Sequence, residues 1–452
     1  MEIQYDYLCQ HLHSYKDEPM RLPSFQASFL SIILICASTT LADDWPQWRG
    51  PNRDGVWNKK GIIQKFAGPK IAAKWRAPIS SGYSGPTVAD GKVYVSDRII
   101  EPKQQERVHC FDWKTGDKVW THAYDCVYRK VGYTAGPRAS VLVHEGRAYS
   151  LGSMGHFICL DAADGKVLWE KDLNALYKIR MPIWGIAASP IIEGSNVIVH
   201  IGGEENASLV AFNKFHGTEV WKAHPDRAAY SAPIVIDQAG KRVLVIWTGD
   251  NVLGLNPQTG EAYWKHPFKP KRMVLAVASP VLHQGHLFFT GFYDGSLLLR
   301  LGTDTPEVTQ VWRRIGKSEQ ATDSLHSIIS TPIIIGDAIY GVDSYGEFRC
   351  LDFKTGDRIW ENLTATRKAR WSNIHFVRNG DRVWMFNETG DLIIGELTRK
   401  GFKEISRSHL IDPTLDQLRR RGGVCWSHPA FAYRHVFARN DEELVCANLA
   451  EE

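Results

Sequence analysis

No stretch of this 452-residue chain reads as a membrane-spanning helix, which takes about 20 consecutive apolar residues. The greasiest segment, FLSIILICA at 29–37, stops at signal-peptide length. No region holds the 3.6-residue apolar period over a long helix, which excludes bundles and doubly wound α/β folds. Acidic clusters with calcium-ligand spacing are missing. His109, His144, His156 and His200 are scattered without metal-ligand spacing, and His283 and His286 flank a hairpin turn (HQGH). Gly202-Gly203 lies in a strand-to-turn context and makes no phosphate loop. What remains is a chain of ordinary globular composition, 44% hydrophobic and 23% charged, with an unusual 16 Trp.

The N-terminus reads as an export signal. Met20-Arg21 opens a basic region, FLSIILICA follows, and Thr40 and Ala42 supply small residues for cleavage after Ala42. Residues 1–19 are acidic, so Met20 is the expected start. Cys36 follows Ile35 rather than a small residue, which argues against a lipid anchor. The expected address is the periplasm or another exported compartment, with the outer membrane as one destination. Residues 1–42 carry two basic and four acidic residues, so the formal charge rises from +4 to about +6 once they are removed. Nucleic acid is not an expected partner of such a chain, and a monomer is expected.

Five segments then align without gaps: FDWKTGDKVW (111–120), LDAADGKVLW (160–169), FNKFHGTEVW (212–221), LNPQTGEAYW (255–264) and LDFKTGDRIW (351–360). Each has Asp or Asn eight residues before Trp and Gly four before it. Degenerate copies end at Trp312 and Ile405. A small pair, usually followed by Pro, precedes each copy: SGP (84–86), AGP (135–137), ASP (188–190), SAP (231–233), ASP (278–280), STP (330–332), WSN (371–373) and WSHP (426–429). The period is about 43–52 residues. Each repeat divides into four short strands, with Gly supplying positive φ in the turns and Asp or Asn capping them. Eight such repeats predict an all-β, eight-bladed β-propeller over 70–452. The last repeat holds only three strands, and KIAAKWRAPI (70–79) supplies a lone fourth with Trp75 in phase. An N-terminal strand is therefore expected to join the C-terminal blade and close the ring. Cys110, Cys159, Cys350 and Cys446 occupy one repeat position in different blades, and the reading is buried free thiols.

The Asp/Asn-x-x-Thr-Gly-x-x-x-Trp pattern resembles the pyrroloquinoline-quinone (PQQ) type propeller repeat over roughly 70–450. The resemblance implies that Trp75, Trp120, Trp169, Trp221, Trp264, Trp312 and Trp360 dock onto the turn of a neighbouring blade. Two functional classes share the repeat: quinoprotein dehydrogenases, which use PQQ with Ca²⁺, and the non-catalytic propeller of the outer-membrane β-barrel assembly machinery. The alcohol-oxidising dehydrogenases carry a vicinal Cys-Cys pair, and this chain has none. Asp125, Asp323 and Asn373 are the scattered oxygen donors near innermost strands. Arg138, Arg370, Trp371 and Trp426 are the residues with the chemistry to hold an anionic aromatic cofactor.

The loops that lead from each fourth strand to the next blade emerge on one side of a propeller. Together they carry about +12, against about +6 for the chain without its leader. Lys269, Lys271, Arg272, Arg313, Arg314, Arg367, Lys368, Arg370, Arg419, Arg420 and Arg421 form the expected partner face. Tyr133, Trp184, Tyr230, His326, Trp371, Trp426 and His428 interleave with them. Such a face attracts anionic partners: an acidic envelope protein, a lipid head group, a polysaccharide or an anionic cofactor. The expectation is an exported, non-catalytic binding or scaffold propeller that needs no cofactor. The alternatives are a PQQ-dependent alcohol or sugar dehydrogenase and a carbohydrate-binding propeller.

One segment stands outside the repeats. WPQWRGPNRDGVW (45–57) belongs to a Trp-rich extension over 43–69. Its glycines and prolines exclude a regular helix or central strand. It is expected to lie extended across the propeller beside the ring closure, anchored by Trp45, Trp48 and Trp57, with Arg49 and Arg53 hydrogen-bonded.

Overall fold

The computed structural model describes residues 43–451; the export signal expected over 1–42 lies outside them. Thirty-two strands form eight four-stranded antiparallel sheets, and the one helix among the described residues is Leu173–Tyr177. Blades 1 to 7 follow the chain in order, at 87–125, 142–172, 191–223, 234–267, 281–314, 333–362 and 374–409. Blade 8 combines the three strands within 430–448 with Ala73–Pro78, which pairs antiparallel with Glu443–Asn448. The N-terminal strand thus closes the ring, as the repeat phase predicts.

Each blade is built by the same local rules. Asp112 Oδ1 accepts from the amides of Lys114 and Thr115, and Asp352 Oδ1 accepts from Lys354 and Thr355. Asn213 does the same for Phe215 and His216. These caps tie the tight turn between third and fourth strands. The register then shifts by one residue just before each Trp, as between Cys110 and Phe111. That bulge leaves Val119 exposed and turns Trp120 inward.

The shift also explains the cysteines. Cys110, Cys159, Cys350 and Cys446 lie directly across the sheet from Trp120, Trp169, Trp360 and Trp75. Ala211 and Gly254 take the same place opposite Trp221 and Trp264. In these six blades the position is small because an indole lies over it; opposite Trp312 it is Leu298. At Gly254 an added Cβ would come within 2.0 Å of Trp264. All six cysteines of the described residues are buried and free.

The tryptophans join neighbouring blades. Trp75 Nε1 donates to the Trp113 carbonyl at 2.8 Å, Trp120 to Ala162, Trp169 to Lys214, Trp221 to Pro257, Trp312 to Phe353 and Trp360 to Thr398. Each acceptor lies in the next blade's turn. Trp264 departs from the expectation: its indole donates to Gln238 Oε1 within its own blade. The turn it faces is GTDTPE (302–307), which lacks the Asp-x-x-Thr-Gly cap. Gln238 Nε2 in turn donates to the Glu307 carbonyl at 2.6 Å, so an amide relays the contact across the longer gap.

Candidate functional site

Eight inner strands leave a channel along the propeller axis. The segment 45–57 closes one end of it. Trp45 exchanges backbone hydrogen bonds with Val88 of blade 1, and the Pro46 carbonyl accepts from Val143 of blade 2. Trp48 Nε1 donates to Ser279 Oγ at the entry to blade 5. Trp57 and Gly55 bond the backbone of Arg378 in blade 7. Arg53 points into the channel. Its guanidinium donates to the carbonyls of Ser189, Pro190 and Pro233, and its Nε to Gln47 Oε1. Burial pushes Arg53 down to about 9 and Arg49 to about 10. The extension therefore reaches blades 1, 2, 3, 4, 5, 7 and 8, far beyond the ring closure beside which it was expected.

The other end of the channel is a cavity of about 150 Å³. Every blade contributes to its wall from the residues leading into its innermost strand. Tyr83, Arg138, Ala187 and Tyr230 come from blades 1 to 4; Val277, Ile329, Trp371 and Trp426 come from blades 5 to 8. A cavity touched by all eight blades must lie on the axis. Trp48 lines it too, and His428 lies against both Trp45 and Trp48.

The rim is a belt of rings. Tyr133 packs against Trp184, Trp371 and Trp426 with centroids 5.6, 6.1 and 6.1 Å away, and Trp184 packs against Tyr230. The Arg420 and Arg370 guanidiniums lie 4.5 and 4.6 Å from the Trp371 ring. Tyr133 and Trp371 both adopt positive φ, 54° and 70°. Such backbone costs about 1–3 kcal/mol per bulky residue and concentrates at ligand sites.

Of the residues with cofactor-holding chemistry, Arg138, Trp371 and Trp426 line the cavity. Arg370 stands behind Trp371 and pairs with Glu319. Arg138 is fully engaged: it donates to the carbonyls of Gly132, Tyr133 and Gly136 and to Ser153 Oγ. Asp125 is exposed and held by Lys103, Asp323 is held by Arg314, and Asn373 is buried; the fold does not gather them. His326 is buried with both ring nitrogens hydrogen-bonded. Calcium takes six to eight oxygens, largely carboxylates and amides. The fifteen lining residues include no carboxylate and no carboxamide, so the donor set does not fit a calcium–quinone pair.

The basic loop residues divide into two groups. Arg314, Arg367, Lys368, Arg370, Arg419 and Arg421 each have a carboxylate within 4.0 Å. Among the described residues Lys269, Lys271, Arg272, Arg313 and Arg420 have none. Arg313 is turned inward over Phe268 and donates to the Ser296 carbonyl.

Sequence reasoning missed Tyr83 and Trp48. A signal for the wall was present: the residue before each small pair (Ser372-Asn373 and Ser427-His428 in the last two landmarks) reads Tyr83, Thr134, Ala187, Tyr230, Val277, Ile329, Trp371 and Trp426. All but Thr134 line the cavity.

The family model described as outer membrane protein assembly factor BamB matches residues 104–362. The BamB protein of Shewanella oneidensis is 23% identical over 286 residues, 62% of this chain and 68% of that one. A 1-butanol dehydrogenase (quinone) of Thauera butanivorans is 32% identical over 146 residues, 29% of this chain and 23% of that one. In fold, BamB from Moraxella catarrhalis is similar at TM-score 0.57 and 15% identity, covering 83% of this chain and 99% of that one. A europium-containing methanol dehydrogenase is similar at TM-score 0.64 and 13% identity, covering 89% and 90%. With more than half of its length matched by one model, the chain belongs to the PQQ-type propeller family described as outer membrane protein assembly factor BamB.

Proposed function

We propose that this chain is an exported, non-catalytic propeller that holds a partner protein of the cell envelope against its loop-bearing face. The observation that carries the reading is the family match, which runs from blade 1 to the end of blade 6. Relatives in that family are outer membrane assembly factors. The cavity chemistry supports it, because the wall lacks the oxygen donors a calcium–quinone centre needs. The cations that would meet an acidic partner are those without an internal carboxylate: Lys269, Lys271, Arg272 and Arg420. The remaining basic residues mostly brace the loops. Exposed charges of this kind set encounter rate and salt dependence more than final affinity.

Reversing Lys269, Lys271, Arg272 and Arg420 to Glu tests the reading. The wild-type protein should retain envelope-assembly proteins from a detergent extract and release them as salt rises. The reversed variant should retain them at least about tenfold less well at low salt. Equal retention by both proteins removes the basic face from the reading. Dye reduction with an alcohol or sugar after loading with PQQ and Ca²⁺ would establish the dehydrogenase alternative instead.

A further inference from the structure

The two ends of the axial channel differ in how their polar atoms are satisfied. At the extension's end, Trp48 Nε1 and the Arg53 guanidinium all find acceptors. At the cavity, Trp371 Nε1, Trp426 Nε1 and His428 Nε2 are buried with no partner. Buried polar atoms normally have one. Three orphans on the wall of one cavity mark a site that a ligand completes.

The chemistry of that ligand can be read from the wall. The indole nitrogens are donors only. Burial holds His428 well below its ordinary range, so its ring is neutral, and its Nδ1–H donates to the Pro429 carbonyl. Nε2 is then an acceptor. The site thus presents two donors and one acceptor among the faces of Tyr133, Trp184, Tyr230 and Trp371. Planar rings stack on such walls. A cavity of about 150 Å³ has the size that accepts a single benzene ring. A sugar brings several hydroxyl donors, whereas the wall's one unpaired acceptor is His428 Nε2. At the rim Arg420, exposed and without a carboxylate partner among the described residues, lies over Trp371 and selects for negative charge.

We infer that the axial cavity binds a small, single-ring aromatic acid. Its ring enters the Trp/Tyr belt and its carboxylate meets the indole N–H groups under Arg420. A ring hydroxyl, where present, donates to His428 Nε2. This does not rest on the docking of any protein partner.

Isothermal titration of the full chain tests it with four probes: 4-hydroxybenzoate, benzoate, benzamide and glucose. The acids should bind saturably at one site, and benzamide, the neutral isostere of benzoate, about tenfold more weakly. Arg420→Gln, at an exposed position, should weaken the acids severalfold and leave benzamide unchanged. Trp371→Phe keeps a ring and removes one donor; it should also weaken the acids. Ala187→Phe fills the cavity and should abolish binding of all rings, with an unchanged circular dichroism spectrum reporting the fold. The inference is overturned if no aromatic probe binds, if benzamide equals benzoate, if glucose alone binds, or if a correctly folded Ala187→Phe protein binds like wild type.

Discussion

One channel runs through this propeller, and its two ends are built oppositely. The 45–57 end is closed by a segment without regular structure, yet its polar groups are paired and its large side chains buried. The loop end is made from regularly repeated positions, yet it stays open and leaves three polar atoms of its cavity-lining residues unpaired. Both ends use left-handed backbone at bulky residues: Arg49 and Arg53 at one, Tyr133, Trp371 and Arg421 at the other. The difference teaches that regularity in sequence does not mark where the structure is completed internally. The irregular segment is the structural part; the regular positions form the part that awaits a ligand.

Removing the closed end should have the largest effect. Deleting residues 45–57 takes away Trp45 and Trp57 from the core and uncovers the carbonyls that Arg53 satisfies. Arg53→Met alone leaves those carbonyls buried and unpaired, which should cost about 3 kcal/mol or more. A fall in the urea midpoint for both proteins, larger for the deletion, is the expected result.

Acid should act next, at the histidines between the two ends. Burial pushes His375 down to about 4 and holds His428 lower than its ordinary range; His200, elsewhere in the ring, is also pushed down to about 4. The unfolded chain takes up these protons near pH 6.5. Stability is therefore full above that pH and falls as pH drops from 6.5 toward 4, by about 1.4 kcal/mol per unit of depressed pKa. Thermal scans across that window should show the loss, and His375→Gln should lessen it.

A smaller effect is expected at the relayed blade contact. Gln238→Leu leaves the Trp264 indole and the Glu307 carbonyl without partners, at a cost of about 1–3 kcal/mol. Blades joined by a direct Trp-to-turn bond have no equivalent weak point.

The smallest effect should come from the open end. Trp371→Phe removes a donor that has no acceptor, so stability should change by less than about 0.5 kcal/mol in ligand-free protein. Trp48→Phe, which strands Ser279 Oγ, should cost more. If the two substitutions cost the same by urea denaturation, the contrast between the ends is wrong.

Much of this was legible in the sequence. The Asp-to-Trp spacing and the small residue opposite most of the Trp residues are local rules that recur from blade to blade, and the three-strand final repeat marks the closure. The cavity was half legible. Arg138, Trp371 and Trp426 carried the right chemistry. Arg138 proved to be consumed by backbone carbonyls; Tyr83 was marked only by its place before a small pair, and Trp48 only as an anchor of the extension. The basic loop residues were legible as charge but not as free charge, since Glu319 and Glu388 arrive from other stretches of chain, and Asp416 from the same loop as Arg419, to neutralise part of it.

By itself, then, the sequence determined the number of blades, their turns, the strand that closes the ring and every tryptophan joint but that of Trp264. These depend on contacts within one repeat or between successive repeats, and such contacts leave a periodic trace. Only the tertiary structure decided what lies on the axis. There, residues more than 300 positions apart meet, and an irregular segment such as WPQWRGPNRDGVW can cross seven blades without any period to announce it. Whether a buried indole or guanidinium finds a partner depends on that meeting, and so does the separation of the closed end from the open one.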